Sequence, residues 1–425
     1  MEKTYFFSRV AVAVGVAALT ACSHSDNIGS SAGIIHVADA IENPIELKVS
    51  DIGSKITYVP LETTDSSLVP ELWALVPTDN HIIVVCYSSS GMEDKNALAF
   101  DLSGRFISGV GHVGEDPEAY SSPFPVVASA DNLFFQKGWG KNVSQVEYSI
   151  TGNYLGRFFP KMPVSPQSSR FVDSTLVTVV PNFYLGELYP TIFSGKITGE
   201  ADTTVIRTAP EDAFIRQPYI EASMNTYQGV MANSAVTFRE VDEQASEKRH
   251  DYSLDRVCNT LAKTDGRLHF YMPLTDTVYT VTENSIEPLY VMDCGKNALK
   301  PSHFNHQEFP ADVVFVTEIC ETPSQLIFGA SRGWLGLEDH QPFVGYYDKT
   351  TGKTYATQAK KGFVDDLTGF MPFYPVLSNN RGDLFGIITM EELAAWREEH
   401  PDAELPESLQ SLDEDSNPIC VIVSR

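Results

Sequence analysis

The chain alternates short apolar runs with polar turns that contain Gly, Asn or Asp. Residues 98–111, LAFDLSGRFISGVG, show the unit clearly as an apolar run, a Gly-containing turn and a second run. The same arrangement returns at residues 145–159, 276–293 and 344–358. Two such runs joined by a short turn are typical of a β-hairpin. The recurrence predicts a repeated unit rather than a set of unrelated hairpins.

When the sequence is aligned on these turns, it shows six copies of a longer unit with four runs, and each copy predicts four antiparallel strands. The six copies begin at the segments ELWALVPT, PVVAS, TLVTVV, RVCNTLAK, FVTEICET and FYPVLS. A repeat of roughly 40 to 60 residues with four strands per unit is the signature of a β-propeller. The sequence therefore predicts an all-β fold, a six-bladed β-propeller of four-stranded antiparallel blades.

The sixth copy lacks a fourth strand, whereas residues 55–62, KITYVPLE, supply a spare apolar run before the first copy. We expect this N-terminal strand to complete blade 6, because closure offsets the entropy of holding a ring of repeats shut. An independent edge strand is the alternative. Residues 207–250 do not fit the repeat and are either an insertion or part of a seventh blade. Residues 389–417 predict an insertion made of a short amphipathic helix and a polar loop.

The first 21 residues have the features of a signal peptide. Lys3 and Arg9 precede an apolar run that is too short to span a bilayer and that ends in small residues. The sequence LTAC at residues 19–22 resembles the lipobox of bacterial lipoproteins, in which the cysteine thiol carries diacylglycerol and becomes the first residue of the mature chain. Cys22 is therefore the predicted lipidation site. An ordinary signal peptide that happens to contain a cysteine is the alternative.

Lipidation would attach the protein to a membrane without making it span the bilayer. We expect attachment to the outer membrane, with the domain facing either the periplasm or the cell surface. Residues 22–44 are assigned to the lipidated cysteine and a flexible tether, since polar and small residues follow Cys22. Residues 45–425 are assigned to the propeller.

Charge and composition narrow the range of partners. The 425 residues include 56 acidic and 30 basic side chains, for a formal net charge of −26. Such a field repels polyphosphates, so nucleic acid is not expected as a partner. The acidity is typical of solubility in a secreted or surface protein. With 43% hydrophobic residues, the chain can bury a large core.

The cysteines do not predict a disulfide framework. Apart from Cys22 they number five and stand at wide, irregular spacings, and no C-x-x-C pair is present. Most lie in apolar runs such as IIVVC and PICVIV. We therefore predict buried thiols at the positions Cys86, Cys258, Cys294, Cys320 and Cys420.

Two short segments contain residue types that bind metal ions. HFNHQE at residues 303–308 places two His three apart, but prolines flank the segment and solvated side chains are the simpler interpretation. DEDSN at residues 413–417 starts like a calcium loop, but Pro418 stands where such a loop needs Gly. Neither segment has the full pattern of a site, and no metal or cofactor is predicted.

Several segments together resemble the six-bladed β-propeller lipoproteins of Bacteroidetes. They are YVPLETTDSSLV, the turn DLSGRF, GHVGEDPEAY between blades 1 and 2, DTVY, and the terminal DSNPICVIV. The resemblance covers residues 45–425 and implies the propeller fold and the lipid anchor, in a family mostly of uncharacterised function. Residues 114–120 read GEDPEAY, whereas the family's segment usually resembles GQGPGEY, so this chain has fewer Gly residues and more acidic ones there.

Two tryptophans are the candidate ligand-binding residues. Trp139 and Trp334 each follow a Gly just after the second strand of their blades, 2 and 5. In a propeller these loops emerge on the same face as the connections between blades. An exposed indole there could stack on a sugar or grip a peptide, whereas the alternative is a ring folded down onto its blade.

The sequence thus favours a lipid-anchored binding or scaffolding propeller that recognises a glycan, a peptide or an envelope protein. A propeller enzyme, a hydrolase or lyase acting on an envelope or dietary polymer, is the alternative. Local catalytic motifs such as G-x-S-x-G and H-E-x-x-H do not occur, but propeller enzymes draw catalytic groups from several blades, so the alternative stays open.

The lipid anchor gives a direct prediction. Cys22→Ala should leave the domain folded but release it from membranes, because signal-peptide cleavage removes the only long apolar segment of the N-terminus. Fractionation with a high-salt wash measures this, and Ser23→Ala is the matched control. Retention of the Cys22→Ala protein in the washed membrane pellet would refute the lipoprotein interpretation.

Overall fold

A computed structural model shows six four-stranded antiparallel sheets arranged as blades of a ring, so the six-bladed prediction is confirmed. Strands are numbered within each blade from the centre of the ring outwards. The structure describes residues 32–86, 96–129, 131–140, 143–166, 168–180, 183–184, 187–188, 190–199, 203–207, 220–224, 236–240, 251–254, 260–264, 266–271, 275–299, 312–334 and 340–425.

The blades follow one another along the chain. Blade 1 consists of Leu72–Pro77, His81–Cys86, Asn96–Asp101 and Phe106–Gly109. Blade 2 consists of Pro125–Val127, Asn132–Lys137, Ser144–Ser149 and Tyr154–Phe158. Blade 3 consists of Ser169–Val172, Thr175–Val180, Thr191–Gly195 and Thr204–Arg207.

The second half of the ring has the same order. Blade 4 consists of Thr260–Thr264, Arg267–Tyr271, Thr277–Val281 and Ile286–Met292. Blade 5 consists of Val314–Glu321, Gln325–Arg332, Gln341–Asp348 and Lys353–Gln358. Blade 6 consists of Leu377–Ser378, Leu384–Ile388, Ile419–Ser424 and, from the N-terminus, Lys55–Pro60.

Blade 3 corrects one part of the sequence interpretation. The run TLVTVV, taken as the beginning of the third copy, is the second strand of this blade, Thr175–Val180. The first strand, Ser169–Val172, is only four residues long and half polar, so it produced no clear apolar run. A small hairpin, Phe183–Tyr184 with Glu187–Leu188, follows the second strand.

The segment near residues 207–250 does not form a seventh blade of the ring. Within the described part of this region, three strands pair with one another in a separate antiparallel sheet. They are Ile220–Met224, Val236–Glu240 and Asp251–Leu254. The segment is therefore an insertion between blades 3 and 4.

The predicted closing strand is confirmed. Lys55–Pro60 pairs antiparallel with Ile419–Ser424, in a register that places Lys55 opposite Ser424 and Pro60 opposite Ile419. The first and last strands of the ring therefore lie in one sheet, and the blade that the C-terminal sequence leaves incomplete gains its fourth strand.

The chain before this strand is also part of the fold, so the tether assigned to residues 22–44 is too long. Gly33–Ile35 pairs in parallel with the outer strand of blade 4, and Leu47–Lys48 pairs in parallel with Phe363–Val364. Between and after these strands lie the short helices Val37–Glu42 and Val49–Ile52. Apolar side chains explain the difference, since several of them are buried against blades 4 to 6: Ile35, Val37, Ile41, Leu47, Val49 and Ile52.

Buried apolar side chains lie at every junction between successive blades. At the junction of blades 1 and 2, for example, Ile83 and Ala99 belong to the same cluster as Leu133 and Phe135. Each blade thus buries its faces against two neighbours, which explains the nearly continuous apolar runs of the inner strands.

The insertion at residues 389–417 contains the predicted helix, Met390–Glu399. Thr389 caps its N-terminus in a capping box, because the Glu392 N–H donates to the Thr389 hydroxyl and the Thr389 N–H donates to the Glu392 carboxylate. Trp396 packs edge-on against Phe370, with ring centroids 4.7 Å apart. Three short 3₁₀ helices complete the described elements: Gly295–Asn297, Ala359–Lys361 and Glu407–Leu409.

A buried carboxylate fastens the closing strand to the neighbouring connection. The Tyr58 hydroxyl donates to Asp365 Oδ2 over 2.9 Å, and the Asp365 carboxylate also accepts bonds from the backbone N–H groups of Leu367, Thr368 and Phe370. Burial alone would raise the pKa of Asp365, but these hydrogen bonds and one from the Thr368 hydroxyl hold the pKa below its ordinary value.

The closure predicts an order of stability among N-terminal truncations. Variants that begin at Gly33, Lys55 and Thr63 should melt at successively lower temperatures. The variant that begins at Lys55 lacks the strands and helices that precede the closing strand. The variant that begins at Thr63 also lacks the closing strand, which leaves blade 6 with an unpaired edge. Thermal unfolding of the three measures this. A Thr63 variant with the melting temperature of the Gly33 variant would contradict the closure.

Asp365→Asn should lower the free energy of unfolding at pH 7 by about 2 to 3 kcal/mol, because a buried acceptor of several hydrogen bonds loses its charge. Since the folded pKa is depressed, this stabilisation is complete above the unfolded pKa of about 3.9 and is lost as the pH falls through the folded pKa. Urea unfolding should show the difference from wild type shrinking below about pH 4. The exposed Asp402→Asn is the control; equal effects of the two substitutions would contradict the assignment.

Candidate functional site

Trp139 lies on the face of the ring that carries the loops between second and third strands. It follows the second strand of blade 2, and 68% of the residue is exposed. Gly138 and Gly140 on either side have φ values of 80° and 66°, a backbone conformation that residues other than Gly rarely adopt. A Cβ atom on Gly140 would have no atom within 4 Å. The indole is therefore an exposed ring on a loop with little side-chain cover from its glycine neighbours.

The Trp139 loop is fixed to the connection between blades 1 and 2. The Lys137 ammonium group is largely buried and donates to the carbonyl oxygens of Asp116 and Ala119 over 2.6 and 2.8 Å. The Gly138 N–H donates to the Ser121 hydroxyl over 2.9 Å. The backbone just before Trp139 is thus held in place by hydrogen bonds to the connection between blades 1 and 2.

That connection, residues 112–121, is itself held by aromatic packing. Tyr120 is fully buried and stacks on Phe135, with ring centroids 4.5 Å apart. The Tyr148 hydroxyl donates to the Glu118 carbonyl over 2.5 Å. Gly111 has a φ of 69°, and a Cβ there would lie 2.8 Å from the rings of Tyr120 and Tyr148. Only Gly fits this position, and the connection packs closely against Phe135 and Tyr148 of blade 2.

Carboxylates are exposed along the same connection. Glu115, Asp116 and Glu118 all lie at the surface. His112 Nε2 lies 2.6 Å from Asp116 Oδ2, and this hydrogen bond, with others from the N–H groups of Ala119 and Glu118, lowers the pKa of Asp116. The loop face around Trp139 therefore combines an open aromatic ring with charged hydrogen-bond acceptors. We call this set, residues 112–121 with Trp139, the loop-face site.

Trp334 does not match the expectation of an exposed indole. Only 4% of it is exposed, and its ring lies over Phe315 on the first strand of blade 5, with centroids 6.1 Å apart. The Gly333 N–H donates to the Val313 carbonyl over 2.8 Å, which draws the loop down onto the blade. Trp334 thus covers the end of blade 5, and the two tryptophans do not form a common exposed surface.

The centre of the ring contains a cavity of about 290 Å³ that no sequence motif indicated. The first strands of all six blades contribute to its wall: Leu75, Pro125, Arg170, Leu261, Ile319 and Leu377. Several of its lining residues, among them Asp79, Ser129 and Asn380, follow the first strands of their blades. The cavity therefore lies towards the face opposite the loop-face site. We call it the inner cavity.

A buried ionic network joins blade 5 to blade 4. Glu321 is fully buried, and its carboxylate lies 2.5 Å from both His269 Nδ1 and the Lys349 ammonium. Burial alone would raise the pKa of Glu321, but the hydrogen bond with His269 and the charge of Lys349 hold the pKa below its ordinary value. Lys349 also donates to the Thr322 carbonyl over 2.6 Å. These contacts are enclosed and connect the blades.

A family model described as Domain of unknown function (DUF4934) matches residues 32–424. The chain belongs to this family. The match begins one residue before the first described strand, so it covers the short strands and helices that precede the closing strand as well as the six blades. Among curated proteins, none matches the sequence.

Two solved structures are similar to this DUF4934 chain. A protein from Bacteroides fragilis named as an exported protein has 15% identity and a TM-score of 0.53, covering 92% of this chain and 98% of its own. A member of the DUF4221 family from Bacteroides vulgatus has 8% identity and a TM-score of 0.44, covering 90% of this chain and 98% of its own. At 15% identity, the likeness to the first concerns the fold.

The remaining sequence candidates have the following positions. Cys22, residues 303–308 and Cys258 lie outside the described residues. Asn417 belongs to the segment that starts like a calcium loop, but its amide holds a neighbouring loop: it donates to the carbonyl oxygens of Glu62 and Ser67 and accepts from the Val69 N–H. Within the described ranges, no helix has the length and apolar character needed to cross a membrane.

The prediction of buried thiols is confirmed for the four described cysteines. Burial raises the pKa of Cys86 to about 11 and that of Cys294 to about 12. Burial likewise raises the pKa values of Cys320 and Cys420. All four therefore remain protonated thiols at neutral pH and serve as small apolar side chains of the core.

Proposed function

We propose that this chain is a glycan-binding propeller of the bacterial cell envelope, anchored to the outer membrane through a lipid on Cys22. The observation that carries the proposal is the open indole of Trp139 beside the carboxylates of residues 112–121. The flat face of an indole stacks on the C–H face of a sugar ring, and carboxylates accept hydrogen bonds from sugar hydroxyls.

The rigidity of the loop-face site supports binding further. Lys137, Tyr120 and Gly111 fix the backbone on both sides of the acidic residues. A site that is ordered before binding avoids the entropy of ordering the loops when the ligand arrives. A Bacteroides fragilis protein of similar fold is named as an exported protein, which supports a location of this chain outside the cytoplasm. The signal peptide and lipobox of residues 1–22 supply the proposed route to that location.

Trp139→Ala should weaken glycan binding without unfolding the ring. A stacked ring contributes about 0.5 to 1.5 kcal/mol beyond the area it buries, so affinity should fall about two- to tenfold, whereas Trp139→Phe should keep most of it. A glycan array identifies the ligand, and calorimetry with the best oligosaccharide measures the loss. The melting temperature should not change, since the indole is exposed.

Trp334→Ala is the matched comparison. It removes a buried ring, so it should lower stability by about 3 to 5 kcal/mol. Equal glycan affinity of wild type and Trp139→Ala would refute the proposed site. Retention of basic peptides but of no glycan would replace the glycan with a cationic peptide held by the carboxylates. Cleavage of the bound oligosaccharide would favour the enzyme alternative.

A further inference from the structure

The inner cavity has the size and lining of a small-molecule site. Its volume of about 290 Å³ is close to the lower end of the range for ligand pockets, which is about 300 to 1,000 Å³. Most of the lining residues are apolar, as in ligand pockets generally. Charged residues of three different blades also line the cavity. Those charges indicate what kind of ligand the cavity fits.

Two cations lie on neighbouring first strands. Arg170 belongs to the first strand of blade 3 and Lys263 to the first strand of blade 4, and both line the cavity. Arg170 Nη1 donates to the carbonyl oxygens of Pro166 and Ser169 over 2.7 and 2.8 Å, so the guanidinium is fixed at the wall. Burial lowers the pKa of Arg170 to about 10, which still leaves it charged at neutral pH.

A carboxylate lies on the other side of the ring. Asp79 follows the first strand of blade 1 and lines the same cavity, and blade 1 stands opposite blade 4 in a ring of six. Asp79 Oδ1 is buried and has no hydrogen-bond donor among the described residues. A buried acceptor without a donor costs free energy, and a ligand that donates to it removes that cost.

We propose that the inner cavity binds a small organic acid whose carboxylate lies at Arg170 and Lys263 and whose far end donates a hydrogen bond to Asp79. Short amino acids and hydroxy acids have this chemistry. The cations recognise the carboxylate by charge-assisted hydrogen bonds, the apolar wall contacts the carbon chain, and the distance from blade 1 to blades 3 and 4 selects its length. This site is separate from the loop-face site and does not depend on its function.

The test uses a series of short linear carboxylates that end in an amino group, a hydroxyl or a methyl group, together with the corresponding amides. Binding to the full domain is measured by thermal shift and calorimetry. We expect saturable binding of at least one amino- or hydroxy-carboxylate. Conversion of its carboxylate to an amide should weaken binding about tenfold to a hundredfold, the range for a charged hydrogen bond.

Variants assign the two ends of the ligand. Lys263→Gln should weaken binding of every carboxylate about tenfold or more, whereas Lys263→Arg should retain it. Asp79→Asn should remove the preference for an amino or hydroxyl group over a methyl group. The exposed Lys353→Gln is the control that should bind as wild type does. Lys263 carries the test at the carboxylate end because Arg170→Gln, which removes two bonds to the backbone, could unfold blade 3.

Three results would overturn the proposal. They are no binding by any member of the series, equal binding of carboxylates and amides, and unchanged binding by Lys263→Gln. Binding of inorganic phosphate or sulfate alone would also overturn it, since those ions need neither the apolar wall nor Asp79.

Discussion

The antiparallel pairing of Lys55–Pro60 with Ile419–Ser424 is the contact on which the ring depends. Every blade is stabilised by burial against two neighbours, so an open ring would expose one face of blade 1 and one of blade 6. Without its outer strand, blade 6 would also present an unpaired edge. The first and last strands of the ring thus lie in one sheet, and the buried Asp365 secures that sheet from the side through Tyr58.

The closed ring has two faces that carry different chemical groups. The loops after second strands and the connections between blades share one face, where the Gly138 N–H binds the Ser121 hydroxyl and the indole of Trp139 stays outside. In blade 5 the corresponding Gly333 N–H binds the Val313 carbonyl, and Trp334 is buried. Two similar Gly-Trp sequences thus have opposite exposures, and the glycines that precede the two tryptophans bond to different partners.

The repeat made most of the fold predictable. Turns recur at matching positions in the blades that have strong apolar runs, so the number of blades and the closing strand could be predicted from the sequence. The helix at residues 390–399 was predicted separately, from a run of helix-forming residues. The first strand of blade 3 was missed because Ser169 and Arg170 leave it half polar. Arg170 lines the inner cavity. The cavity itself joins residues from six distant segments, so no local motif could reveal it, and the burial of Trp334 depends on a contact with Phe315 that spacing does not specify.

The same geometry links the inner cavity to the closure. Its wall includes Leu377 of blade 6 and Leu75 of blade 1, which stand on either side of the junction where the ring closes. A ligand held between Asp79 and the cations of blades 3 and 4 would connect opposite sides of the ring across its diameter. Any ligand that binds only the closed ring stabilises it by mass action. Among the described lining residues, the charged ones are Arg170, Lys263 and Asp79, so they carry the charge that such a ligand would meet at the cavity wall.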